Sequence, residues 1–188
     1  GLLELSGSIE RLFGLHLGPL ALVGLGLGLI SGLSGAIGTW LGGQIGDLLS
    51  RQNMAILLVV PGVAGPLAFP FYLLALNAPQ AWVAMLLLFP TGLLTSIWLG
   101  PTFAALQSVV QPDNRATAAA VQAMFVLFLG LGLGPVIVGL LSDLFAGPLG
   151  FGSGEGVRRA LMIMSGVALI AGGLFFVAAS KLKESIIS

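Results

Sequence analysis

Apolar runs long enough to cross a bilayer recur five times along this chain, joined by short polar or glycine-rich links. Crossing as a helix takes roughly 20 mainly apolar residues. Leu20 to Leu41, Met54 to Leu76, Trp82 to Val110, Thr117 to Leu141 and Ala160 to Ala179 meet that length. Each run is apolar around its whole circumference, as expected of a helix surrounded by lipid or by other helices. Barrel strands would instead alternate apolar and polar residues over about ten positions. Prolines interrupt the second run (Pro61, Pro66, Pro70), the third (Pro90, Pro101) and the fourth (Pro135). Membrane helices tolerate such prolines as kinks, because neighbouring helices and side chains satisfy the freed carbonyls. The pattern predicts an all-α, polytopic membrane bundle forming one domain over residues 1–188. Gly1 to Phe13 is too short to span and carries Glu4, Glu10 and Arg11, so it reads as the stub of a preceding helix or an interfacial segment.

Composition removes the soluble alternatives. Charged residues make up 7% of the chain and apolar ones 57%, with a mean hydropathy of +1.09. A soluble domain is about a quarter charged, because its surface faces water. Formal net charge is zero, so there is no basic field to attract nucleic acid. There is no cysteine, and the one histidine, His16, cannot build a zinc site alone. The expected partners are therefore the lipid bilayer and no metal or cofactor. No nucleophile, base and orienting group converge anywhere, which argues against an enzyme. The chain opens on Gly without a basic leader, so the expectation is a fragment rather than a secretory signal. Arg51, Arg115, Lys181 and Lys183 fall on one side of the five-helix layout, and Arg11, Arg158 and Arg159 on the other. That bias favours a cytoplasmic C-terminus.

Glycine is the second pattern. Gly24, Gly28, Gly32, Gly35, Gly38, Gly42 and Gly46 recur at three- and four-residue steps, and Gly130, Gly134 and Gly139 do something similar in the fourth run. Such spacing lets backbones approach closely, giving either a static packing face or one along which helices slide. Shifting by 96 positions aligns Gly38 with Gly134, Gly43 with Gly139 and Asp47 with Asp143. The two aspartates fall at opposite ends, as an inverted three-helix repeat would place them.

The stretch GGQIGDLLSR, with Gly43, Asp47 and Arg51, resembles the second copy of the loop motif of the major facilitator superfamily. Leu48 and Ser50 depart from its fuller form. VVQPDNRATAAAV, with Arg115, resembles that family's entry to its eleventh helix. GLGLGPVIVGLLSD resembles the Gly-Pro kink motif of exporters, with Gly130, Gly134 and Pro135 in place. Together with WLGPTFAALQSVVQPDNRATA, it is similar to the bacterial Spinster-like members. The resemblance implies the C-terminal half of a twelve-helix fold, its first helix truncated, in a bacterial inner membrane. It implies a secondary transporter working by alternating access on a small amphipathic, lipid-like or organic substrate, with a coupling proton and a missing N-terminal six-helix bundle as further partners. A half-sized membrane subunit or channel-like protein is the alternative.

Under that resemblance Gly43, Asp47, Arg51 and Arg115 form a gating latch, Asp47 meeting the positive end of a helix in the other bundle. Read locally instead, Asp47 and Arg51 are an i,i+4 ion pair. Asp113 or Asn114 could likewise simply cap the helix that Arg115 begins. Gly130, Gly134, Pro135 and Gly139 are assigned to kinking and packing. Thr39, Thr91, Thr95, Trp98, Thr102 and Gln122 are the candidate substrate-cavity residues, with Gln44 a further one and Phe103 and Phe125 as aromatic wall. The resemblance directs the first, third and fourth segments toward the cavity and the second and fifth toward lipid. Asp143 opposes the dipole of its helix end, and Arg158 or Arg159 is expected to neutralise it across the loop.

Overall fold

A computed structural model describes residues 19–50 and 54–187. In chain order the elements are α1 (Pro19–Ser50), α2 (Ile56–Leu76), α3 (Ala81–Ser96), α4 (Leu99–Val109), a 3-10 turn (Pro112–Asn114), α5 (Arg115–Phe125), a π-helical stretch (Val126–Leu133), α6 (Gly134–Ala146), α7 (Ser153–Ser165) and α8 (Val167–Ile187). No strand occurs among the described residues. The elements combine into five spans long and apolar enough to cross a membrane: Val23–Leu48, Ile56–Leu76, Ala81–Val109, Pro112–Ala146 and Ser153–Lys181. The all-α membrane bundle read from the sequence is the observed fold. The segment 1–13, His16 and Arg51 lie outside the described residues.

Span ends differ from the hydropathy reading. The first helix continues past Leu41 through Gly43, Gln44 and Asp47 to Ser50, so Asp47 sits on its final turns and not in a loop. The fifth span begins at Ser153, well before Ala160. There Glu155 reaches Arg158 (3.2 Å) and Arg159 (3.3 Å) one turn on, and this pairing lets a polar stretch start the helix.

The first span packs on the third, the third on the second, and the second on the fifth. The fourth span joins this group through its two ends, α5 beside α4 and α6 along α7. None of its most apolar stretch is buried. Along the third span, hydroxyls fold back onto their own helix: Thr91 donates to the Leu87 carbonyl (2.8 Å), Thr95 to Thr91 (2.9 Å), Ser96 to Gly92 (2.8 Å) and Thr102 to Trp98 (2.6 Å). Such back-bonding hides hydroxyls where no water is present to take them.

Proline and glycine act together at the tightest crossings. Pro101 has no N–H for the carbonyl of Ile97, and the third span breaks there between α3 and α4. That carbonyl lies so close to Gly42 that an added Cβ would clash with it. The Gly42 Cα hydrogen standing in place of a side chain points at the orphaned oxygen, a weak C–H···O contact. The same arrangement recurs between the second and fifth spans, where Pro66 frees the carbonyl of Gly62 and Gly172 lies against both. Gly38 meets the Leu93 carbonyl, and Gly92 meets fully buried Ser34, so the first and third spans touch backbone to backbone. Gly24, Gly28, Gly32, Gly130, Gly134 and Gly139 have open space where a Cβ would go. The glycine stripe therefore divides into a welded half and an uncovered half. In the fourth span the helix switches to π geometry over the eight residues before Gly134 and Pro135. A widened turn there accommodates the missing proline donor.

Candidate functional site

Asp47 and Arg115 lie at the same end of the bundle, both exposed. Arg115 opens α5, where its charge is unfavourable to the helix dipole. Asn114 occupies the N-cap position but its side chain makes no capping bond. Arg115 makes no ion pair among the described residues, with Asp113 or any other. The local capping account of this turn thus does not hold.

The six candidate cavity residues are not gathered in one place. Trp98, Thr102 and Gln122 line a cleft of about 860 Å³ at the Asp47 end, between the second, third, fourth and fifth spans. Thr91 and Thr95 line a smaller cleft of about 330 Å³ with Tyr72 and Ser165, between the second, third and fifth. Thr39 borders neither. The second and fifth spans, expected to face lipid, supply walls to both clefts. Thr102 is already bonded to its own helix. Gln122 has a buried side-chain oxygen with no hydrogen-bond partner. Lys181, missed by the sequence reading, also lines the large cleft. The signal lay in the spacing of Phe175, Ala178 and Lys181, three residues apart on one helix face.

At the opposite end Arg158 and Arg159 pair with Glu155 and not with Asp143. Arg158 also donates to the Asn77 side-chain oxygen, tying the end of the second span to the start of the fifth. Arg159 stacks 3.7 Å over the ring of Phe151, which itself leans on Phe145. Glu155 wins because it shares the helix, one turn before both arginines. Arg158→Ala should lower stability by about 1 kcal/mol or less, given its partial exposure, whereas Asp143→Asn, which removes a charge opposed to its helix dipole, should leave it unchanged or slightly raised. Thermal unfolding in detergent compares the two.

The described residues have the fold of one half of a major facilitator transporter: five antiparallel apolar spans, proline-broken and glycine-welded, in an integral membrane protein. The chain superposes with a TM-score of 0.72, over 94% of its length and at 23% identity, on a bacterial homologue of the human lysosomal transporter Spinster, crystallised inward-facing and unoccupied. It is 29% identical over 180 residues to an MFS-type efflux pump of Mycolicibacterium smegmatis. It spans 40% of that pump and 43% of the Spinster homologue. No protein-family model matches the chain. The resemblance read from the sequence motifs holds.

Proposed function

We propose that this chain forms the second bundle of a secondary transporter that works by alternating access. The observation that carries this reading is the half-transporter fold over 94% of the chain. The efflux-pump relative supports it. So do Asp47 and Arg115, exposed at the same end of the bundle, the residues that the sequence resemblance assigns to a latch. The uncovered glycine face of the first span and the uncovered fourth span are the surfaces that meet the other bundle. The substrate is a small amphipathic, lipid-like or organic molecule. Its route runs between those surfaces past Thr39, with the C-terminus in the cytoplasm of a bacterial inner-membrane protein.

Thr91, Thr95 and Thr102 have hydroxyls bonded to their own helix, while Trp98 and Gln122 retain polar groups but border the large cleft and not the route past Thr39. Among the described residues the charged side chains stand near the ends of their spans. The titrating site for a coupling proton is therefore assigned to the other bundle. The test is uptake of lysolipids and of small cationic drugs into proteoliposomes containing the full protein, with and without a proton gradient. Accumulation that collapses with the gradient supports proton coupling. Absence of any uptake or efflux, for every compound, overturns the transporter reading.

A further inference from the structure

The large cleft has a shape and chemistry that set it apart from a route between two bundles. It is an open groove lined by the second, third, fourth and fifth spans of this chain, and its lining reaches Val109 and Lys181 near the ends of the third and fifth spans. Its lining along the third span runs from Val109 to Trp98, eleven residues. At 1.5 Å per residue that is about 16 Å. Half of a bilayer's hydrocarbon core is about 15 Å. The cleft is thus one leaflet deep, with Trp98 at the level of the bilayer midplane. Its volume, about 860 Å³, falls within the range of small-molecule pockets, roughly 300–1,000 Å³.

Polar groups in this cleft are few. Lys181 lines the cleft where the apolar run of α8 gives way to the charged stretch SKLKES, and makes no ion pair among the described residues. Gln122 lies seven residues into α5, about 10 Å below Arg115, and its orphaned oxygen has no protein donor. The rest of the wall, including Phe175 and Ala178, is apolar apart from Trp98 and the self-bonded Thr102. A cation at the membrane surface, a neutral amide beneath it and an apolar groove one leaflet long match the layers of a phospholipid. The anionic head would meet the lysine, the ester carbonyls of the glycerol region would accept from the Gln122 amide N–H, and one acyl chain would lie along the groove. Lysine at a span end keeps its ammonium in the interface while its stem lies along apolar wall.

We propose that this cleft is a binding site for a resident anionic phospholipid of the leaflet at the Lys181 end, held by Lys181 and Gln122 with one chain reaching Trp98. This assigns the cleft to the bilayer and is independent of which molecule the transporter moves.

The test uses the full protein in nanodiscs, with every tryptophan except Trp98 replaced by phenylalanine. Phosphatidylglycerol or phosphatidylcholine, brominated near the chain end, serves as quencher. Half-maximal quenching of Trp98 is expected at a five- to tenfold lower mole fraction of the phosphatidylglycerol. Lys181→Glu should abolish that preference, and Lys181→Arg should retain it. Gln122→Leu should weaken quenching by both lipids while the difference between them stays. Equal quenching by both lipids in the parent, or a preference that survives Lys181→Glu, overturns the headgroup assignment. No quenching by either means that protein or substrate fills the cleft, and overturns the site itself. Monodispersity on size exclusion separates these results from misfolding of a variant.

Discussion

Gly42→Ala should destabilise the protein by about 2 kcal/mol although it adds one methyl group, whereas Gly173→Ala should be neutral or stabilising by up to about 1 kcal/mol. In a helix interior alanine is ordinarily better than glycine by about that latter amount. At Gly173 nothing lies within reach of the new Cβ, so only propensity acts. At Gly42 the Cβ would strike the backbone of Ile97, its carbonyl oxygen first. No rotamer relieves a clash with a backbone, so the first and third spans must move apart. Overpacking of this kind typically costs about 1–3 kcal/mol. Separation would also uncover the carbonyl that Pro101 leaves without a donor. Gly172→Ala should behave like Gly42→Ala, because its Cβ would meet Pro66 and the Gly62 carbonyl. Thermal unfolding in detergent, with size-exclusion profiles for the four proteins, checks the prediction. Equal stabilities for Gly42→Ala and Gly173→Ala would remove the welded crossing as a stabilising feature.

In the proposed transporter, Asp47→Ala should shift the population toward the state open at the Asp47 end and reduce transport. A carboxylate against a helix N-terminus is favourable by roughly 0.3–2 kcal/mol. Such a contact is made only while that end is closed. Losing it changes the ratio of the two states by roughly two- to thirtyfold. Asp47→Glu should recover much of the loss. The chain has no cysteine, so Thr39→Cys gives a single label site in this bundle. Labelling by an impermeant maleimide from the Asp47 side should speed up in Asp47→Ala, alongside slower uptake in proteoliposomes. Unchanged labelling together with unchanged uptake would sink the latch. Faster unfolding with unchanged labelling would instead reduce Asp47 to its local role at the helix end.

Sequence reading reached the membrane class and the half-transporter fold because both are written in long apolar runs and short ordered motifs. It placed each of the five spans among the described residues, missing mainly at the ends. There polar residues such as Glu155 and Arg158 satisfy one another on a helix, which hydropathy counts against helix formation. It also found the glycine stripe of the first span without resolving its two halves. Gly24 and Gly42 are alike in sequence, and only the position of the third span decides which one meets a backbone. The pairing of Pro101 with Gly42, and of Pro66 with Gly172, was hidden for the same reason. Each proline frees a carbonyl on its own helix, but which glycine covers it depends on the crossing angle. The candidate cavity was the least legible part. Threonines on one span point to different clefts, and Lys181 joins one of them from the far end of the chain.

The fourth span bears on how the protein is made. It is the most hydrophobic of the five described spans, at a mean hydropathy of 2.5, and none of its most apolar stretch is buried. During synthesis such a segment can partition into lipid on its own composition, without waiting for a partner helix. The Trp82 to Val109 region is different, since its hydroxyls and proline-broken backbone are best shielded once the first span is alongside. Truncations released from ribosomes after the third, fourth and fifth spans should therefore integrate the fourth with equal efficiency in the presence or absence of the first. The third should show the stronger dependence.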